Sequence, residues 1–382
     1  MKRYLWGLAT LSAIFVTSCS SSDSDIEQEL QAMTLQEKVG QMFIIRPEAL
    51  DTDFFYNSPM ELQSQSLSRV NDKMRQTAKA YPPGGIILFK HNIVDEDQLH
   101  EFMTDLRGLV PRTPLMCVDE EGGQVARIAN NKNFRVPKYP PMGNVAASGR
   151  TKDVQDAATT IGTYLRHYGF DIDFAPVADV NTNPNNIVIG SRAFSNKPEM
   201  AADMVKAFLK GLRKTGVIGC LKHFPGHGDT YADSHFGYAM IRKTWDEIAS
   251  CEMVTFKAGI SAGAQMIMTA HISLPNVTGS NFPSTLSPMI LQDKLRGELG
   301  FQGVIITDAM EMGAILRQYP VEDAAIMAIK AGVDILLCVR EYPKVFDAVL
   351  AAVRRGEIPE SRIDESVRRI LKLRKSAPGL QN

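Results

Sequence analysis

Apolar residues gather along the chain in short continuous runs of strand length, at 41–46, 85–89, 115–119, 170–177, 217–222, 265–270, 303–307 and 334–339. The runs are built of Val, Ile, Leu, Met and Phe without apolar–polar alternation, the pattern of parallel strands covered on both faces. Between them lie helical patterns at 99–109, 153–168, 200–215, 244–262, 288–299, 321–331 and 345–355. Strand alternating with helix throughout predicts an α/β fold. Thr34 and Glu37 have capping-box spacing for a first helix. Gly216, Gly300 and Gly332 follow helical segments where a left-handed stop is expected. Eight such units predict a closed (β/α)8 TIM-type barrel; the alternative is an open doubly wound sheet. A Gly-x-Gly-x-x-Gly turn after the first strand would mark the open sheet, but Phe43-Ile44-Ile45-Arg46-Pro47 is followed by nothing of the kind. A barrel collects its chemistry at the C-terminal ends of its strands.

Composition narrows the class. The 382 residues are 44% hydrophobic and 22% charged, a globular balance. Lys+Arg 42 against Asp+Glu 43 leaves a net charge of -1, with no field to gather nucleic acid. Lys2 and Arg3 precede an apolar run over 5–16, too short and too interrupted for a spanning helix, which reads as an export signal. The segment Val16-Thr17-Ser18-Cys19 resembles the bacterial lipoprotein cleavage box. That resemblance implies a signal peptide over 1–18 and a lipidated Cys19 anchoring the protein to a membrane; the small polar residues that follow have nothing to bury, so 19–25 reads as a flexible tether. Losing Lys2 and Arg3 would take the net charge from -1 to -3. Residues 26–382 then read as a single domain. Cys117, Cys220, Cys251 and Cys338 have no paired spacing and read as small buried hydrophobes rather than disulfides or a zinc site.

Polar residues collect at the predicted strand ends. The third ends in Asp119-Glu120-Glu121-Gly122-Gly123 with Arg127 beyond, the fifth in Lys222-His223, the sixth in His271 and the seventh in Asp308. Any one of these carboxylates alone reads equally well as a helix cap. Together they read as one site. The densest segment, 222–235, carries His223, His227, Asp229, Asp233 and His235 around Pro225, Gly226 and Gly228. Its glycines suit a mobile loop that brings Asp233 and His235 over a ligand.

This segment, with Val118-Asp119-Glu120-Glu121-Gly122-Gly123, Ile189-Gly190-Ser191-Arg192-Ala193-Phe194 and Thr307-Asp308-Ala309-Met310-Glu311-Met312, resembles glycoside hydrolase family 3. The likeness is to its β-N-acetylglucosaminidase branch and runs from about Met33 through Val367-Arg368-Arg369-Ile370-Leu371. It implies that Asp308 is the nucleophile, forming a covalent glycosyl-enzyme. It implies that His235, oriented by Asp233, is the acid/base in place of a second carboxyl group. Asp119, Arg127, Arg192, Lys222 and His223 would hold the N-acetylglucosamine unit. No cofactor or metal is implied. Many relatives carry an acidic residue or serine directly after the nucleophile, where this chain has Ala309; Glu311 follows about one helical turn on. His227, Asp229, His271 and Glu311 receive no role from the resemblance.

The function so implied is retaining exo-β-N-acetylglucosaminide hydrolysis on peptidoglycan fragments or other glycans, by a lipid-anchored protein outside the cytoplasm. A phosphorylase with the same site, a β-glucosidase or β-xylosidase, a zinc hydrolase using His223, His227, Asp229 and His235, and a non-catalytic sugar-binding lipoprotein are the alternatives. A barrel mouth needs no second copy, so a monomer is expected.

Overall fold

The computed structural model describes residues 21–51, 67–232 and 239–380. Its centre is eight strands: β1 (Phe43–Ile45), β2 (Gly85–Ile87), β3 (Leu115–Val118), β4 (Ile172–Asp173), β5 (Ile218–Phe224), β6 (Met266–Thr269), β7 (Val304–Thr307) and β8 (Leu336–Leu337). They are ordered β7-β6-β5-β4-β3-β2-β1-β8, and every pairing is parallel. The ends of that order meet. Ile335 N–H donates to Ile305 O (3.0 Å), Thr307 N–H to Ile335 O (3.0 Å) and Met310 N–H to Leu337 O (2.9 Å). The sheet is therefore a closed barrel, and the open doubly wound alternative is excluded.

Burial explains why the strand signal was continuous. Every residue of β1, β3, β6 and β7 is buried, because side chains alternately fill the barrel interior and meet the outer helices. Phe43, for example, packs its ring 5.3 Å from Tyr342 and 5.9 Å from Phe346 of the helix Tyr342–Arg354. The fourth strand is shorter than its apolar run. Pro176 has no N–H to donate, so regular pairing stops before it and resumes as a single bridge from Val177 to Lys222.

The predicted 321–331 helix is observed as Val321–Ala331, ending at Gly332 with φ +117. Gly216 and Gly300 also have positive φ, and Thr34 with Glu37 forms the capping box. The 244–262 pattern, by contrast, divides into Trp245–Ser250 and Glu252–Ser261. The break at Cys251 aims the fully buried Glu252 at Lys243, whose Nζ donates to it at 2.7 Å. The 288–299 pattern is wound as a π-helix, Met289–Glu298.

Charges at the opposite, N-terminal end of the barrel are structural. Buried Asp334 accepts from Arg296 Nη2 (2.6 Å), Ser366 Oγ (2.7 Å), Ile305 N–H (2.9 Å) and Arg369 Nη1 (3.1 Å). This ties the last helix, Glu360–Lys375, to the barrel floor. Cys117, Cys220 and Cys338 are buried and free, and Cys251 is half-buried and free.

Candidate active site

The loop after β3 is organised by a carboxylate that does not face the mouth. Glu120 turns inward and accepts from Arg127 N–H (2.5 Å), Ile128 N–H (2.9 Å), Ala129 N–H (2.9 Å) and the Tyr164 hydroxyl (2.9 Å). Burial raises its pKa, and those donors offset only part of the rise. The three backbone bonds set the path of the segment that carries Arg127.

The flanking acids face the mouth. Asp119 accepts from Lys222 Nζ at 2.8 Å and, more loosely, from Arg127 Nη2 at 3.4 Å. Arg127 and Asp119 thus pair at the rim, while the shorter bond of Asp119 runs across to β5. Glu121 lies 2.5 Å from Lys222 Nζ and takes a two-pronged bond from Arg192, Nε at 2.9 Å and Nη2 at 2.8 Å. Ends of β3, β4 and β5 are locked together in this way. Burial alone would raise the Glu121 pKa, but the Lys222 ammonium and Arg192 guanidinium outweigh it and hold the group at about 2. Lys222 and Arg192 are in turn pushed above their ordinary values, since the carboxylates outweigh their own desolvation.

A carboxylate lowered on folding contributes stability above its unfolded pKa and loses that contribution as pH falls through the folded value. Glu121 therefore makes the fold lose stability between its ordinary 4.5 and about 2. Urea midpoints measured across that window are expected to fall more steeply for the natural protein than for Glu121→Gln; equal slopes would refute this assignment.

Around the mouth, Asp179 holds the next histidines. It accepts from His223 N–H (3.1 Å), His223 Nδ1 (2.7 Å) and His227 N–H (2.6 Å). A carboxylate can only accept, so His223 carries its proton on Nδ1 and, when neutral, presents Nε2 as an acceptor. Asp179 is fully buried; the positive potential of His223 and His227 overcomes that burial and keeps its pKa low. Desolvation first, and His223 second, push His227 below its ordinary value. Asp179→Asn leaves the shape but lets either ring nitrogen of His223 carry the proton. It is expected to cost about tenfold in kcat/KM, with a changed pH profile as the sign that His223 was being oriented; an unchanged profile would leave Asp179 with a packing role only.

His271, at the end of β6, is buried and its pKa is lowered mainly by desolvation. Its Nε2 lies 3.1 Å from Ala309 O, which can only accept, so a neutral ring takes the Thr285 hydroxyl (2.9 Å) at Nδ1. His271 therefore pins the peptide next to Asp308. Asp308 follows β7 and is half-buried. Its Oδ1 accepts from Ala309 N–H at 2.7 Å, and Oδ2 has no hydrogen bond among the described residues. The next helix begins only at Gly313 with Met312 at its cap, so Asp308 is not a helix cap. Burial pushes its pKa up, but His223 and His271, the Ala309 N–H and Lys222 leave it below the ordinary value. Strands β3 and β7 stand four places apart in a ring of eight, so Asp119 and Asp308 face each other across the mouth.

The first half of the histidine-rich loop is pinned. Asn183 Nδ2 donates to Thr230 O (2.9 Å), Asn186 Nδ2 to His227 O (2.7 Å) and Thr182 Oγ1 to Asp229 Oδ1 (2.6 Å), with Lys243 3.3 Å from Asp229. A Cβ on Gly228 would fall 1.9 Å from Val180 O, and Gly226 has φ +115 against Glu252. Within the described part of the loop these glycines serve close packing and a tight turn. Asp233 and His235, like Cys19, lie outside the described residues. Glu311 reaches the rim, where it accepts from Arg46 Nη1 at 2.8 Å; burial raises its pKa.

Sequence reading did not single out Asp179, Glu121 or Glu120. Asp179 stands just past the fourth apolar run much as Asp119 ends the third, so the same strand-end rule, extended by two residues, would have found it. Nothing in the sequence separates the inward Glu120 from the outward Glu121.

A closed barrel whose C-terminal mouth gathers carboxylates and cations between the partly exposed Asp119 and Asp308 has the form of a barrel active site. Residues 34–373 match the model of the glycosyl hydrolase family 3 N terminal domain, and the chain belongs to that family. It is 30% identical to beta-hexosaminidase A of Pseudoalteromonas piscicida, over 95% of this chain and 64% of that protein. It is 35% identical to a beta-hexosaminidase of Stenotrophomonas maltophilia (strain R551-3), over 71% of this chain and 79% of that one. A glycoside hydrolase family 3 beta-N-acetylglucosaminidase from Paenibacillus sp. str. FPU-7 superposes with a TM-score of 0.80 at 34% identity, covering 91% of this chain and 63% of that one. The chain thus spans just under two thirds of the Pseudoalteromonas and Paenibacillus proteins.

Proposed function

We propose that the protein is a retaining exo-β-N-acetylglucosaminidase that removes terminal β-linked N-acetylglucosamine from peptidoglycan fragments or other glycans. The observation that carries this reading is Asp308: a carboxylate held ionised at the end of β7, with one oxygen committed to Ala309 N–H and the other uncommitted among the described residues. Across the mouth, Asp119, Lys222, Arg127, Arg192 and His223 supply acceptors and donors for ring hydroxyls and the acetamido group. Asp308 attacks the anomeric carbon while the bond to the departing oxygen breaks and His235, oriented by Asp233, protonates that oxygen. Water, deprotonated by the same histidine, then attacks the glycosyl-enzyme and releases Asp308, so two inversions give net retention. Glu121 and Asp179 are positioning residues, acting through Lys222, Arg192 and His223.

The test compares aryl β-N-acetylglucosaminide with aryl β-glucoside, with and without inorganic phosphate. Faster phenol release from the N-acetyl substrate, yielding free N-acetylglucosamine, is expected. Preference for the glucoside would overturn the sugar assignment, and a sugar 1-phosphate product would make the acceptor phosphate. The same reading has the protein exported and lipid-anchored through Cys19, acting as a monomer; support comes from Lys2, Arg3, the 5–16 apolar run and the Val16–Cys19 box. Loss of fatty-acid labelling in Cys19→Ala is the expected result, and retained labelling would refute it.

A further inference from the structure

Beside the sugar-binding cluster, on the side away from Asp308, the loops after β2 and β3 border a half-open cavity of about 520 Å³. Its described lining is Lys90, His91, Gln124, Ala126, Arg127, Asn130 and Asn131. Two permanent cations and a histidine line it and no described acid does, in a chain whose overall charge is -1. The three are not equally committed. Arg127 leans on Asp119 at 3.4 Å, and His91 lies 3.5 Å from Glu48. Lys90 is exposed and has no ion pair among the described residues. Asn130 and Asn131 donate their amides to Gly123 O and Ile93 O, so the ligand-facing donors left are Lys90 Nζ, the free edge of Arg127 and Gln124. Phe89 stacks on His91 with ring centres 5.8 Å apart and lies under the Arg127 guanidinium at 5.8 Å, which fixes the position of both.

The position of this cavity limits what it can hold. Asp308 and Asp119 face each other across the mouth, so a pyranose with its anomeric carbon at Asp308 points its far end, carbons 4 and 6, at Asp119 and Arg127. Arg127 is shared by that cluster and the cavity. The aglycone leaves on the face of the ring opposite the nucleophile and is not directed here. We propose that the cavity is a subsite for an anionic ester, sulfate or phosphate, on the 6- or 4-hydroxyl of the terminal sugar, with Lys90 as its principal selecting residue. The proposal rests on the hexosaminidase reading and specifies its substrate: a terminal N-acetylglucosamine that carries a negative charge. A tetrahedral oxyanion matches the lining because its oxygens accept from several donors at once.

The experiment uses the full-length protein in detergent and five aryl substrates: the unmodified N-acetyl-β-glucosaminide and its 6-sulfate, 6-phosphate, 4-sulfate and 4-phosphate. At least one ester is expected to exceed the unmodified glycoside in kcat/KM by about fivefold, with the advantage shrinking as salt screens it. Lys90→Ala should abolish that advantage and Lys90→Glu reverse it, while neither changes turnover of the unmodified glycoside, since Lys90 has no hydrogen bond or ion pair to the sugar-binding cluster among the described residues. Which ester leads identifies sulfate or phosphate and the position. Esters no better than the parent, or an advantage that survives Lys90→Glu, would overturn the subsite while leaving the hexosaminidase reading intact. No turnover of any N-acetyl substrate would instead strike the activity; calorimetric binding of N-acetylglucosamine 6-sulfate and 6-phosphate against N-acetylglucosamine, in the natural protein and Lys90→Glu, then decides the subsite alone.

Discussion

Asp308→Asn is expected to lower kcat by about four orders of magnitude, the scale on which loss of a covalent nucleophile is felt. The amide preserves size and can still accept from Ala309 N–H through its oxygen, so the fold and the sugar cluster across the mouth are left in place. What it removes is the negative charge that, in the proposed mechanism, attacks the anomeric carbon. Binding of N-acetylglucosamine should therefore stay within about threefold of the natural protein, the range of a surface-scale change. Turnover within tenfold of natural would refute Asp308 as nucleophile, and lost sugar binding would place it in the subsite instead. The pH profile adds a second reading. Only the ionised carboxylate attacks, and burial is outweighed by His223, His271 and the Ala309 N–H, so its pKa lies below the ordinary 3.8. Activity lost on the acid side above pH 5 should accordingly come from other groups than Asp308.

Lys222→Met carries the next largest effect, on both stability and rate. The ammonium lies 2.8 Å from Asp119 and 2.5 Å from Glu121, and the side chain is buried. Removing it leaves two carboxylates without their shared cation, and breaking a buried pair from one side costs about 3–5 kcal/mol. Asp119 also loses its shorter bond, so kcat/KM is expected to fall by about two to three orders of magnitude. Adding Glu121→Gln should return part of the stability, because the most buried of the stranded charges is then gone, while activity stays low. Strict additivity of the two substitutions in urea unfolding would mean that Lys222 and Glu121 are not coupled, contrary to the geometry.

The eight strands were legible because each is buried on two faces and so carries an uninterrupted apolar run. Helix 321–331 was legible to the residue because Gly332 ends it. The 244–262 segment was not, since its period continues through Cys251 while the need to pair buried Glu252 with Lys243 breaks the helix. Asp119, Lys222, His223, His271 and Asp308 were legible as strand ends, and the structure brings all five to one mouth. The resemblance supplied Arg127 and Arg192, and the structure ties Arg127 to Asp119 and Arg192 to Glu121. Asp233 and His235 rest on the sequence alone.

By itself, the sequence determined the class of fold, the end of the barrel that carries the chemistry and the family, since hydrophobic period and strand-end polarity are local properties. It could not determine which carboxylates face the mouth. Glu120 and Glu121 are adjacent and identical in kind, and only the closing of β3 beside β4 and β5 turns one onto three backbone amides and the other onto Lys222 and Arg192. Nor could it show that Lys90, His91 and Arg127 share one cavity, because loops from two strands meet there only after the barrel has closed. Pairings between distant residues depend on the path of the whole chain, and tertiary structure alone decides them.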